Sequence, residues 1–153
     1  MIAAVDPGRE KCGVAVVALD GSIEKRLVVP TPALQEEISS ILATGRIQVL
    51  LCGDGTGSAA QAAMLQELAA QHKVQFFVVD EKHTTEQARK LYWQQQPPQG
   101  WRRLLPTTMQ TPPVPVDDYV AVLLAWKYLS MERKSFEQEN RSDRREYMRV
   151  RFF

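Results

Sequence analysis

Two short, almost wholly apolar runs, residues 47–53 and 74–79, constrain the fold of this chain more than any other feature. Runs of this length with apolar residues at nearly every position are typical of strands that are buried on both faces of a sheet. Between them lies the Ala-rich segment 58–72, which has the composition and length of a helix. A strand, a helix and a second strand in this order predict two parallel strands, and therefore an α/β domain.

The residues before these runs predict an antiparallel meander. Residues 2–5 and 13–19 are apolar and are separated by a charged turn, which indicates two strands. Asp20-Gly21 is a strong signal for a two-residue hairpin turn, so residues 22–29 are expected to form a third, antiparallel strand.

Three further segments have helical patterns, residues 31–45, 84–96 and 117–132. The first is predicted to begin with Thr31 as its N-cap, and the last is apolar around so much of its circumference that it must be largely buried. Residues 97–116 hold six of the nine prolines and are expected to form a surface insertion.

The complete pattern is a three-stranded antiparallel meander followed by two parallel strands, with helices on both faces of the resulting five-stranded mixed sheet. This order of elements resembles that of the RNase H-like fold. We expect one domain over residues 1–132, followed by a charged tail at residues 133–153.

The overall charge and the cysteines indicate an intracellular protein without a strong electrostatic field. The net charge is only +1, so a nucleic-acid site would have to be a local patch. Cys12 and Cys52 lie in apolar stretches without metal-binding or redox spacing, and are expected to be reduced core residues. No secretory signal is visible and the apolar run 119–126 is too short to span a bilayer, so we expect a cytoplasmic protein that does not enter the membrane.

Acidic residues follow three of the predicted strands. Asp6 ends the first strand, Asp54 the fourth and Asp80-Glu81 the fifth, and Asp117 and Asp118 begin the last helix. Functional groups of open α/β sheets collect beyond the carboxyl ends of the strands. Carboxylates brought together there favour a hard cation, Mg²⁺ or Mn²⁺. Two such ions would activate water and stabilise the leaving oxygen during displacement at a phosphodiester.

Each acid also has an ordinary structural interpretation. Asp6 could be a turn residue before Pro7-Gly8, Asp117 an N-cap and Asp80 the end of a strand. Asp54 lies in the segment GDGTGS, whose glycines are also compatible with a phosphate-binding loop before a helix. The residues alone leave these alternatives open.

Three segments resemble a known family. The sequence DPGREKCGVAV, with Asp6, Gly8 and Gly13, resembles the first-strand signature of RuvC-type resolvases and of the YqgF family. The sequence VDEKHTTEQARKLY (residues 79–92) is similar to the YqgF motif D-E-R-L-T-T-x-x-A-R, and PVDDYVAVLLAWKYL (residues 115–129) resembles the family's closing helix.

The resemblance implies an RNase H-like, metal-dependent nuclease linked to maturation of the 16S ribosomal RNA precursor, with a Holliday-junction resolvase role also proposed. It implies that Asp6, Glu81 and Asp117 are the catalytic acids and metal ligands, with Asp117 preferred over Asp118 by its register. Asp80 is then a structural residue beside them. Asp54 departs from the YqgF pattern, and is either a fourth metal ligand or part of a tight turn.

Several basic and aromatic residues are candidates for contacts with nucleic acid, either structured or precursor RNA or branched DNA. Lys and Arg side chains near the acids could bind phosphates, and Trp101 beside two arginines could stack on unpaired bases. Solvated side chains, and a tryptophan that pins the insertion to the core, are the alternatives, and His83 is expected to be an ordinary surface residue. The candidates are Lys11, Lys82, Arg89, Trp101, Arg102 and Arg103.

Two other functions remain open from the sequence. The chain could be a nucleic-acid or ribosome-associated binding protein without turnover, or a DNA junction resolvase. The residues do not distinguish a monomer from a homodimer.

Overall fold

The computed structural model describes residues 1–55, 58–80 and 117–132. Five strands form one sheet in this part of the chain. They are β1 (Ile2–Asp6), β2 (Lys11–Val17), β3 (Ile23–Pro30), β4 (Val49–Gly53) and β5 (Gln75–Val79).

The order of strands in the sheet is β3-β2-β1-β4-β5. β2 pairs with β1 and β3 in antiparallel fashion, whereas β4 pairs with β1 and β5 in parallel. Val5 at the centre of the sheet is level with Val14 on one side and with Cys52 on the other. The predicted mixed sheet, a meander extended by two parallel strands, is therefore confirmed.

Helices cover both faces of the sheet. α1 (Leu34–Ala43) and α2 (Ala59–Gln71) lie on one face, which we call the α1–α2 face. The helical residues 117–132, here the closing segment, pack on the other, which we call the closing face. This arrangement agrees with the helices expected on both sides of the sheet.

β1 shows why the sheet must be covered twice. Its residues alternate between the faces, with Ala3 and Val5 in the core under α1 and α2 and Ile2 and Ala4 in the core under the closing segment. All four are fully buried. Removing a large aliphatic side chain such as Ile2 from water stabilises the fold by about 1.5–3 kcal/mol. Cys12 and Cys52 are buried free thiols in the α1–α2 core, as expected.

The hairpin between β2 and β3 is present, but its predicted two-residue turn is wrong. The strands stop at Val17 and resume at Ile23, and the Asp20 carboxylate accepts hydrogen bonds from the backbone N–H of Ser22 (2.9 Å) and from its hydroxyl (2.6 Å). A two-residue type I′ turn needs positive φ at both central residues, but here Gly21 has a φ of 92° and Asp20 does not have a positive φ. The side chain of Asp20 therefore closes a longer turn.

β5 is not buried on both faces, which corrects the expectation from its apolar sequence. It is an edge strand, and Phe77 and Val78 are 43% and 56% exposed. The predicted helix 84–96, the proline-rich insertion 97–116 and the tail 133–153 lie outside the described residues. None of the helices that the structure does describe is long and apolar enough to cross a membrane.

Candidate active site

Three acidic residues lie where parallel strands end. Asp6 is the last residue of β1, and Asp54 and Asp80 directly follow β4 and β5. The backbone N–H of Asp54 donates to the carbonyl of Val79 at 3.1 Å, which extends the ladder between β4 and β5 by one step. The carboxyl edge of the sheet therefore carries these three acids on adjacent strands.

The closing segment begins at the same edge, directly against the sheet. Gly13 of β2 is the antiparallel partner of Asp6. A Cβ atom on Gly13 would lie 1.9 Å from the backbone oxygen of Asp117 and 2.7 Å from the backbone nitrogen of Asp118. Only a glycine leaves room for this approach. Asp6 and Asp117, which are distant in the sequence, thus flank one glycine.

Asp6 and Asp54 belong to opposite faces by the alternation along their strands. Asp6 follows Ile2 and Ala4, which lie in the core of the closing face. Asp54 follows Leu50 and Cys52, which lie in the core of the α1–α2 face. Asp6 therefore shares a face with the closing segment, whereas the register of β4 assigns Asp54 to the other face.

Asp118 is held by a residue that the sequence did not single out. Its carboxylate accepts a hydrogen bond from the guanidinium of Arg26 in β3 at 2.9 Å and another from the backbone N–H of Tyr119 at 3.1 Å. Asp118 is only 8% exposed, so the paired cation offsets the cost of burying its charge. The second acid of the Asp117-Asp118 pair therefore has a structural partner.

The loop after Asp6 is fixed by contacts to the carbonyl of Gly8. This oxygen accepts hydrogen bonds from the Thr31 hydroxyl at 2.8 Å and from the Gln61 side-chain amide at 3.2 Å. Thr31 was predicted to be the N-cap of α1, and this is wrong because its hydroxyl is bound to Gly8 and the residue lies in a short 3₁₀ turn before the helix. Strands and helices that are far apart in the sequence thus hold the loop that follows Asp6.

One basic candidate lies beside these acids. Lys11 is exposed at the start of β2, two residues before Gly13 and hence on the same face of that strand. The predicted metal ligand Glu81 lies outside the described residues. So do the remaining candidate contacts to nucleic acid, which are Lys82, Arg89, Trp101, Arg102 and Arg103.

Asp80 is contacted by the closing segment. The ammonium of Lys127 donates to the backbone carbonyl of Asp80 at 2.8 Å and lies 3.9 Å from its carboxylate. Both contacts fit the interpretation of Asp80 as a structural residue at the end of β5. A cavity of about 530 Å³ opens beside them, with lining residues that include Phe77, Tyr128 and Met131.

The phenol of Tyr128 in this cavity resists ionisation. Its ring stacks on Phe77 with 5.6 Å between the ring centres, and its hydroxyl donates to the carboxylate of Glu132 at 2.9 Å. Burial, followed by this hydrogen bond and the negative charge of Glu132, raises the pKa of Tyr128 to about 12. Tyr128 is therefore a neutral hydrogen-bond donor at neutral pH.

The described acids do not by themselves form a complete metal-binding cluster. Within residues 1–55, 58–80 and 117–132, no three His, Cys, Asp or Glu side chains lie close enough together to hold an ion. The donor type nevertheless suits a hard divalent cation, because Asp6 and Asp117 carry carboxylate oxygens, the ligands that such ions prefer.

No protein-family model and no curated protein matches the sequence. The fold is similar to that of the solved structure of RuvC from Thermus thermophilus, with a TM-score of 0.53 and 14% sequence identity. The match covers 85% of this chain and 95% of that one. At this identity the likeness establishes the RNase H-like fold and leaves the activity to be argued from the residues.

Proposed function

We propose that this protein is a divalent-metal-dependent nuclease that hydrolyses phosphodiester bonds. The observation that carries the proposal is the close approach of the Asp117 backbone to Gly13, the strand partner of Asp6, at the carboxyl edge of the sheet. Carboxylates on adjoining elements repel each other unless a cation lies between them. Edges of this kind are where α/β sheets hold their functional groups.

The proposed metal ligands are Asp6, Glu81 and Asp117, with Mg²⁺ or Mn²⁺ as the ion. The contacts at Gly13 support Asp6 and Asp117 as ligands. Glu81 is proposed because residues 79–92 resemble the YqgF motif and because it directly follows Asp80. When bound, the metal would supply an activated water and charge stabilisation for the leaving oxygen. The carboxylates would hold the ion and orient it toward a phosphodiester placed at this edge.

The remaining acids have other proposed roles. Asp118 is left out of the ligand set because its carboxylate is engaged by Arg26. Asp54 is a less suitable ligand than Asp117, because the alternation along β4 assigns it to the α1–α2 face. It stays a candidate fourth ligand, which Asp54→Asn tests in the same assay.

The proposed substrate is structured precursor RNA, of the kind processed during maturation of 16S ribosomal RNA. Support comes from the similarity of residues 79–92 to the YqgF motif, and from Lys11, an exposed cation beside Asp6 and Asp117 that suits a phosphate. A four-way DNA junction is the second candidate substrate, favoured by the similarity of the fold to a RuvC structure.

The test compares Asp6→Asn with Asp20→Asn. Both variants remove one carboxylate charge, but Asp20 lies in the turn between β2 and β3, at the opposite end of the sheet from Asp6. We expect Asp6→Asn to lose Mg²⁺- and Mn²⁺-dependent cleavage by at least about 100-fold, a loss typical of a group that acts in the transition state. Asp20→Asn should cleave like the wild type, and circular dichroism should show both variants folded.

Precursor RNA and four-way DNA junctions would be assayed side by side. Cleavage of the junction alone would replace the RNA substrate by the DNA one and leave the metal site in place. Equal cleavage by the wild type and Asp6→Asn would contradict the catalytic assignment. RNA binding without turnover under either metal would favour a binding protein that has kept the fold.

A further inference from the structure

An ion pair ties the edge strand β3 to the first turn of the closing segment. The guanidinium of Arg26 donates to the Asp118 carboxylate at 2.9 Å, and the two side chains are only 29% and 12% exposed. The same guanidinium lies over the ring of Tyr119, 4.0 Å from its centre. Tyr119 is itself 1% exposed. Arg26 thus contacts both Asp118 and Tyr119, the two residues that directly follow Asp117.

This contact holds the first described turn of the closing segment. A helical turn opens locally more readily when few contacts hold it to the rest of the fold. A separate contact lies further along the closing segment, where the indole N–H of Trp126 donates to the carbonyl of Gly21 at 2.8 Å. At the start of the segment, Gly13 leaves room for the backbone of Asp117, and Arg26 attracts the neighbouring carboxylate of Asp118.

We infer that Arg26 is a positioning residue, which holds the first turn of the closing segment against β2 and so fixes Asp117 beside Asp6. The inference rests on the proposed function for its consequence, the binding of a divalent metal. Its structural content, that Arg26 holds the first turn, is independent of any activity.

Replacing Arg26 would have two effects on metal binding, the loss of a positive charge and the loss of positioning, and these act in opposite directions. A cation near two carboxylates opposes the binding of Mn²⁺, so removing it should strengthen binding if charge alone mattered. Loss of positioning acts in the opposite direction, because a displaced Asp117 coordinates poorly. The sign of the change in affinity therefore separates the two effects.

The test is Arg26→Gln, with Lys25→Gln as the matched control. Lys25 neighbours Arg26 in β3 and forms an exposed ion pair with Glu37 at 3.0 Å, so its loss removes the same charge without touching the closing segment. Calorimetric titration with Mn²⁺ alone should show about tenfold weaker binding for Arg26→Gln, the effect expected when a metal ligand loses its supporting contact. Lys25→Gln should bind Mn²⁺ like the wild type.

Hydrogen exchange provides a second readout that needs no metal. The amides of residues 121–124 bond to carbonyls of the first turn, so they report its opening. We expect Arg26→Gln to speed their exchange at least about tenfold more than that of the β1 amides. If Arg26→Gln does not fold, Arg26→Lys, which keeps a cation but not the planar group over Tyr119, should show smaller changes in the same direction.

Two results would overturn the inference. One is Mn²⁺ binding by Arg26→Gln that equals or exceeds that of the wild type while the wild type binds well. The other is an equal rise of exchange in β1 and in residues 121–124, which would mean a uniform loss of stability. If the wild type binds no Mn²⁺, the proposed function fails, and the exchange data alone decide whether Arg26 holds the first turn.

Discussion

Gly13 is the residue at which the candidate site is most sensitive to a single added atom. Its antiparallel partner is Asp6, and the space where its side chain would be is filled by the backbone of Asp117. Backbone cannot rotate away as a long side chain can, so any larger residue must move the helix or the strand.

We therefore predict that Gly13→Ala destabilises the protein by about 3 kcal/mol, because the new methyl group overpacks a rigid contact. The displaced closing segment should also weaken Mn²⁺ binding. Urea unfolding followed by circular dichroism measures the first effect, and calorimetric titration measures the second.

Gly45→Ala is the control for this change. Gly45 has a φ of 72° and no atom within 4 Å of its absent Cβ. Its substitution should cost only the backbone strain of about 1 kcal/mol and leave Mn²⁺ binding unaltered. Similar losses from both substitutions would show that the approach of Asp117 to Gly13 is not a tight contact.

At this scale the sequence predicts where acids can lie, but not how each is used. The position of Asp6 follows from the end of an apolar run, and that of Asp117 from the start of a helix. The engagement of Asp118 could not be predicted, because its partner Arg26 is 92 positions away in a strand with two other charged residues, Glu24 and Lys25. Contacts between sequence-distant polar residues depend on the sheet register, which no local pattern records.

Among the elements, β5 and the closing segment carry three of the exposed large hydrophobic side chains of the described residues, Phe77, Val78 and Met131. Phe77 and Met131 remain 43% and 57% exposed there, and Tyr128 stacks on Phe77. The hydrogen bond from Tyr128 to Glu132, one helical turn further on, connects two residues within the closing segment. The ionisation of Tyr128 therefore reports how this segment packs on β5.

We predict that one tyrosine of the folded protein ionises near pH 12, well above the ordinary value. The pKa of Tyr128 is raised from 10.0 to about 12, so the native state keeps a proton that the unfolded chain loses between these values. Its contribution to stability is complete below pH 10 and is lost as the pH rises through 12. Tyrosinate absorbance after a rapid pH jump, compared between the wild type and Tyr128→Phe, isolates this group.

Glu132→Gln separates the causes of the shift. It removes the negative charge while burial remains, so the Tyr128 midpoint should fall but stay above 10.0. A difference titration between the wild type and Tyr128→Phe centred on the ordinary value would contradict the packing of this ring against β5.

The strands and helices were predicted better than their burial and their side-chain contacts. Apolar runs and helical spacing indicated all five strands and the helices on both faces, and these depend on local periodicity. The burial of β5 was predicted wrongly, because an apolar run does not reveal whether its strand lies at the centre or at the edge of a sheet. Thr31 was misassigned for a similar reason, since its hydroxyl had a partner in a loop that a local capping rule does not include.

For the whole molecule, a site that binds metal only when folded couples the ion to global stability. At a free Mn²⁺ concentration of about 100 times the dissociation constant, the ion should stabilise the native state by about 2.7 kcal/mol. For a chain of this size that corresponds to a rise in Tm of roughly 5–10 °C. Differential scanning calorimetry with and without Mn²⁺ measures it.

Asp6→Asn should abolish most of this rise, whereas Asp20→Asn should retain it in full. The comparison does not depend on turnover or on the choice of substrate. A rise of the same size in Asp6→Asn would mean that the ion binds elsewhere on the molecule.

The ion pair between Arg26 and Asp118 also bears on the stage of translation at which the proposed metal site can form. Its partners are 92 positions apart, and Asp6 and Asp117 are separated even further along the chain. The sheet from β1 to β5 ends at Val79, so a nascent chain can pair its strands before the closing segment has been translated. During that interval Asp6 has no Asp117 beside it, so the proposed metal site stays incomplete until the closing segment has been made.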